Sequence, residues 1–270
     1  MMLKHVIIID ESGAKGYAKN TEQYIGDFGI MAGFLLDKND LSRMRYIINE
    51  SFNDFVSEGK LHMTELNKDD KEIAILRVKD FLKIYKIKWS YSALYVKGYH
   101  RFNGSPDKSS KNKELLHSTL FEHLMTKFLI NGIKLAISRK INSFSLKCIS
   151  DHIETATINK FKKDIAYPLR FLRGEVTVMK EDESGNKEPA FDTLEDINIS
   201  IETENSALTF VSDIISYTTW KHLKDAIKKD NNIKLQSTEV MVGHPFQESL
   251  TLTNSNENSF IDDIFNRRGN

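Results

Sequence analysis

The run Val6-Ile7-Ile8-Ile9 constrains the fold more than any other feature of this chain. Four branched apolar residues in succession leave no polar face, so the run reads as a strand buried on both sides. It leads into Asp10-Glu11-Ser12-Gly13, where Ser-Gly supplies the turn expected to end the strand. Two carboxylates at the mouth of so apolar a strand are costly unless something binds them, and a metal ion is the usual solution. Strand side chains alternate, so Asp10 shares a face with Val6 and Ile8 while Glu11 points the other way. Asp10 is therefore the expected direct ligand. Glu11 and Ser12 are expected behind it, Glu11 as a supporting carboxylate and Ser12 bonding the turn.

Downstream, strand and helix patterns alternate. Phe28 to Leu36 is a second short apolar run, read as the next strand of a meander. Leu41, Met44, Ile47, Ile48, Phe52 and Phe55 then form a helical stripe that Gly59 terminates. The link Leu61 to Leu66 leads into a helix from about Lys68 to Tyr85, and Ile87 to Val96 has the aromatic and branched content of a third strand. Gly98 to Lys113 reads as a polar loop, followed by a long helix from Glu114. Phe144 to Ile149 reads as a central strand ending in Ser150-Asp151-His152, and Ile158 to Leu172 as an amphipathic helix. Residues 175–192 look like an insert with a hairpin tip at Glu181 to Asn186. Ile197 to Ile201 alternates as a strand, and Ser206 to Ile227 is the last strong helix. The expectation is an α/β layered fold with a mixed sheet, one domain over residues 1–230, and a polar, partly irregular C-terminal extension over 231–270.

The 38 basic and 38 acidic side chains cancel. That argues against broad electrostatic capture of nucleic acid and leaves local patches as the means of contact. The single cysteine, Cys148, rules out an internal disulfide framework and a cysteine zinc cage. No apolar run reaches membrane-spanning length and no signal-peptide pattern opens the chain, so a cytoplasmic protein without membrane contact is expected. Gly13-x-x-Gly16 lacks the Lys-Ser/Thr pair of a phosphate loop.

Four acidic positions fall where a metal centre can be assembled from distant parts of the chain: Asp10 after the first strand, Glu65 at a helix start, Asp151 after the later central strand, and Asp213 early in the last helix. Oxygen-rich sites of this kind suit Mg²⁺ or Mn²⁺, and two such ions roughly 3.5–4 Å apart support phosphodiester hydrolysis. On an ideal wheel Asp213 lies roughly 130° from the centre of its helix's apolar stripe, at a cleft edge or in open solvent. Lys108, Lys111, Lys221 and Lys224 are candidate phosphate contacts, and Tyr217 and Trp220 lie on the same general side as Asp213.

The order Asp10-Glu11-Ser12-Gly13, then Ala32-Gly33 in an apolar strand, then His62-x-x-Glu65, Asp151 and Ser212-Asp213-Ile214-Ile215 resembles the DUF3800 family over roughly the first four-fifths of the chain. The resemblance implies a ribonuclease H-like fold, a mixed sheet flanked by helices, and a metal-dependent nuclease of the kind associated with bacterial mobile elements and phage defence. It further implies that Asp10 bridges two ions, Asp151 and Glu65 hold one each, Asp213 completes the second, and His62 orients water, assists the leaving group or steers product out. Thr209-Phe210-Val211-Ser212-Asp213 lacks the glutamine and alanine that often precede the family's helical aspartate. Together with the neutral charge, this keeps two alternatives in view. One is a catalytically degenerate nucleic-acid or protein-binding module; the other is a nuclease subunit active only with a protein partner from the same system. DNA, RNA and hybrid substrates stay equally open.

Overall fold

Strand β1 (Met2–Gly13) carries the apolar run through the middle of a five-stranded sheet. One edge of β1 pairs antiparallel with β2 (Phe28–Asp37), which pairs antiparallel with β3 (Lys88–Tyr95). Its other edge runs parallel to β4 (Ser143–Ser150), and β4 runs parallel to β7 (Asp196–Thr203), giving the order β3-β2-β1-β4-β7. Two short strands between β4 and β7 in sequence, β5 (Met179–Glu181) and β6 (Lys187–Pro189), form a separate antiparallel ribbon within the expected insert. This computed structural model describes residues 2–14, 26–56, 62–102, 115–176, 179–181, 187–189, 192–231 and 233–251. Gly59, the hairpin tip at 182–186, and Lys108 and Lys111 lie outside the described residues.

Helices cover both faces, as a strand without a polar side requires. Val6 and Ile8 join Phe34 and Ile30 in a core closed by α1 (Leu41–Val56), α2 (Lys68–Ile84) and α6 (Ala207–Lys229). Ile7, Ile9 and Met31 face the opposite core, closed by α4 (Leu115–Ser138) and α5 (Thr155–Leu172). Cys148 is buried in this second core, and burial pushes its thiol pKa up. The expected loop from Gly98 begins differently: the chain leaves β3 directly into α3 (Val96–Phe102). Antiparallel neighbours are commonly joined by a short hairpin, but β2 and β3 are joined through α1 and α2. That excursion carries His62 and Glu65 across one face of the molecule. Among the described residues, no helix is long and apolar enough to cross a membrane.

The described residues past Asn231, 233–251, contain two short 3-10 turns, Glu239–Met241 and Gln247–Ser249, and are packed along β3. The Trp89 indole donates to the Phe246 carbonyl (2.8 Å), the Tyr91 hydroxyl to Leu235 O (2.8 Å) and the Tyr95 hydroxyl to Ile233 O (2.9 Å). Thr251 N–H donates to Trp89 O at 2.8 Å, and Leu235, Met241 and Phe246 are buried. The strap thus covers an edge that would otherwise offer open backbone groups to another chain.

Two histidines of this region are held neutral. Burial lowers the pKa of His244, within the strap, to about 3, with His222 adding to the effect. Burial and Lys127 lower that of His123, whose Nδ1 lies 2.7 Å from Ser92 Oγ, to about 3. Unfolded imidazoles titrate near 6.5, so below that pH the unfolded chain takes up protons that the folded chain refuses. Their contribution is complete above pH 6.5 and drains away as pH falls toward 3. The unfolding free energy from denaturant titration should therefore fall between pH 6.5 and 5, by on the order of 1 kcal/mol per pH unit per imidazole. A slope that stays the same in a His123→Asn/His244→Gln variant would refute this account.

Candidate metal centre

The register of β1 explains how the acidic residues meet. Its ladder with β4 ends at Ile9 opposite Ser150, whereas its ladder with β2 continues through Asp10–Ala32, Glu11–Met31, Ser12–Ile30 and Gly13–Gly29. Asp10 therefore lies where β1 outruns its parallel neighbour, and Asp151, the residue after Ser150, comes alongside. Ser12-Gly13 does not turn the chain out of the strand as expected, because β2 goes on supplying backbone partners. Gly13 has φ +83°, and a Cβ there would lie 2.5 Å from Trp220 Cδ1 and Nε1 and 2.6 Å from Phe28 O. A glycine is needed both for that backbone conformation and for the close approach of the indole.

One carboxylate oxygen from each of Asp10, Glu11 and Asp151 lies within 4.8 Å of the other two, the only such group of three metal-ligating side chains among the described residues. Asp10 is 5% exposed; Glu11 and Asp151 are half-buried. Glu11, expected behind the ligands, stands among them. Past Ile9 no strand occupies the β4 side of β1, so side chains from both faces of the pleat can reach the open edge. Three carboxylates this close repel one another in a partly desolvated setting, and a divalent cation relieves that repulsion. An all-oxygen donor set at the carboxyl ends of parallel strands fits a hard ion such as Mg²⁺ or Mn²⁺.

Glu65 and Asp213 stand outside this group, each engaged by the turn before α2. Glu65 is exposed and precedes the helix, which is capped by Asn67, instead of beginning it. Its Oε2 accepts from His62 N–H at 2.8 Å, while Glu65 N–H donates to His62 O at 2.9 Å, so the carboxylate closes its own turn. Asp213 is 8% exposed, because the first half of α6 is buried all round. Its Oδ2 accepts from Met63 N–H at 2.7 Å and lies 3.7 Å from His62 Nδ1. One turn further on, the Ser216 hydroxyl donates to Glu11 O at 3.4 Å, which ties this stretch of α6 to the strand end bearing the three carboxylates. His62 is about half exposed beside Asp213.

His117 has no place in the sequence reading. It opens the third position of α4, and its Nε2 is buried, makes no hydrogen bond, and lies 3.6 Å from Glu11 Oε2. Only the apolar spacing of α4 marks that face in sequence, and it does not single out the histidine that meets Glu11. Ser12 is half-buried within β1. Lys221 is exposed on α6, and Lys224 places its Nζ 4.4 Å from the centre of the Trp220 ring.

No family model matches the chain, and no curated protein matches it.

Two measurements test the assignments. Mn²⁺ at a hundredfold excess over its dissociation constant should stabilise the protein by about 2.7 kcal/mol. Asp10→Asn should abolish that gain while leaving the metal-free protein as stable as wild type or more so; an undiminished Mn²⁺ shift in the variant would rule out the centre. Asp213→Ala should cost about 1–3 kcal/mol of stability in EDTA, through the unpaired Met63 N–H. A variant as stable as wild type in EDTA would show that this bond has no structural weight.

Proposed function

We propose that this chain is a divalent-metal-dependent phosphodiester hydrolase acting on nucleic acid, on the ribonuclease H-like architecture that the DUF3800 resemblance implies. The convergence of Asp10, Glu11 and Asp151 at the carboxyl edge of the parallel strands carries the reading. The sheet order β3-β2-β1-β4-β7, antiparallel over its first three strands and parallel beyond, supports the architecture.

Asp10, Glu11 and Asp151 would hold the ion. Bound there, Mg²⁺ or Mn²⁺ supplies Lewis acidity and a water activated as nucleophile. The chain's own residues do the remainder. β1 and β4 fix the separation of Asp10 and Asp151 through backbone pairing, so the donors are placed before any ligand arrives. His117 approaches Glu11 from the α4 side, with its Nε2 3.6 Å from Glu11 Oε2. His62, half exposed and set beside the buried Asp213, can carry a proton between the site edge and solvent, with Asp213 orienting its ring. Glu65 keeps the His62 turn in shape.

The test is cleavage of labelled RNA, DNA and hybrid substrates in Mn²⁺ or Mg²⁺, comparing wild type with Asp10→Asn and Asp151→Asn. Metal-dependent cutting reduced at least about 10³-fold in both variants is the expected outcome, on the scale of losing a principal electrostatic contribution. Absence of cutting together with absence of Mn²⁺ binding would replace this reading with the degenerate binding module. Mn²⁺ binding without cutting would point to a subunit that needs its partner.

A further inference from the structure

One face of α6 changes character in a regular way along its length. Asp213, Tyr217, Trp220, Lys221 and Lys224 recur at the three- and four-residue spacings that bring side chains onto one helical stripe. The stripe starts buried at Asp213, becomes half-buried at Tyr217 and Trp220, and is exposed at Lys221. The two rings lie side by side with centroids 6.2 Å apart. A lysine sits over each: Lys71 of α2 has its Nζ 5.6 Å from the Tyr217 centroid, and Lys224 has its Nζ 4.4 Å from the Trp220 centroid. From Tyr217 to Lys229 the helix carries four lysines and one acid, Asp225, a local positive excess on a chain with no net charge.

The stripe is joined directly to the acidic centre. Trp220 packs on Gly13, three residues along β1 from Asp10, a separation of roughly 10 Å at 3.3–3.4 Å per strand residue. That is about three base steps at roughly 3.4 Å each. Aromatic faces alternating with ammonium groups match a chain whose own repeat alternates planar bases with phosphates. An acidic peptide would match the lysines and leave the paired rings without a counterpart. A duplex would keep its bases stacked on one another and unavailable to the rings.

We infer that the Tyr217–Trp220–Lys224 face of α6, completed by Lys71 and Lys221, is a track for single-stranded polynucleotide leading away from the Asp10 centre, with bases stacked on the two rings and phosphates held by the lysines. This rests on the nuclease reading for its biological sense, but it can be measured independently. Lys71 and Lys224 cover the rings in the free protein, and their flexible stems let the ammonium groups move to phosphates when bases take their place.

The experiment uses the full chain carrying Asp10→Asn, in EDTA, so that binding is read without cleavage. The probes are dT12, rU12 and a 12-base-pair duplex, followed by intrinsic tryptophan fluorescence and anisotropy. The chain has two tryptophans, and Trp89 is fully buried with its indole bonded to Phe246, so a fluorescence change on binding reports Trp220. Single strands should bind more tightly than duplex and quench the signal. Lys221→Glu/Lys224→Glu, at surface positions of the helix, should weaken single-strand binding at least about tenfold and flatten its salt dependence. Tyr217→Leu/Trp220→Leu should weaken it about 5- to 100-fold with the salt slope unchanged.

Equal binding by wild type and the lysine variant would overturn the inference. So would a preference for duplex, or capture of polyglutamate by the same face with no affinity for dT12 or rU12. Cleavage that persists without measurable single-strand binding sinks the track alone. Binding that behaves as described in a protein that neither cuts nor binds Mn²⁺ sinks the nuclease reading alone.

Discussion

The pairing of β1 with β4 is the constraint on which the rest of the site depends. Parallel strands fix which residues stand abreast, and here the ladder stops at Ile9 opposite Ser150. Had β1 slipped by one position, its apolar run would have exchanged faces, and Asp10 would have turned toward the α4 core instead of the α6 side. Burial on both faces makes that slip prohibitive. Residues 6–9 therefore place the acidic residues that follow them, with an accuracy no loop could match.

The helical excursion between β2 and β3 gives the site its second wall. By covering the outer side of α6, it buries a helix face that would otherwise be wet, and Asp213 is buried with it. The carboxylate is tolerated there because Met63 N–H and the His62 ring approach it. Arg45 of α1 donates to both carboxylate oxygens of Glu204, just past β7, and so anchors the excursion near the start of α6. One excursion thus shapes the core and the surroundings of Asp213 together.

Much of this was legible in the sequence, and for definite reasons. The runs at 6–9, 28–36 and 144–149 are short, apolar and bounded, and the stripes of α1, α5 and α6 are strongly periodic; such signals arise from burial, which is what layering a sheet requires. Asp10 and Asp151 were legible because charges rarely end apolar strands without cause. Glu11 comes closer to Asp10 and Asp151 than ideal pleat alternation implies, because alternation holds within a ladder but loosens where a neighbouring strand stops. Asp213 is buried where the wheel put it at a cleft edge or in open solvent, because a wheel counts one apolar stripe and cannot show that α1, α2 and the 62–66 turn cover the other side. His117 could not be found at all: its partner, Glu11, is more than a hundred residues away, and proximity of that kind is created only by the fold.

The strap over β3 has a consequence for how the molecule is made. The Trp89, Tyr91 and Tyr95 side chains take their hydrogen-bond partners from residues 233–246, and the Trp89 carbonyl takes its own from Thr251. During synthesis the ribosome releases β3 long before those partners exist. For that interval the nascent sheet has a bare, aromatic-rich flank, and residues 233–251 are the ones that close it. The flank is therefore completed at one identifiable moment of synthesis: the passage of residues 233–251 out of the exit tunnel.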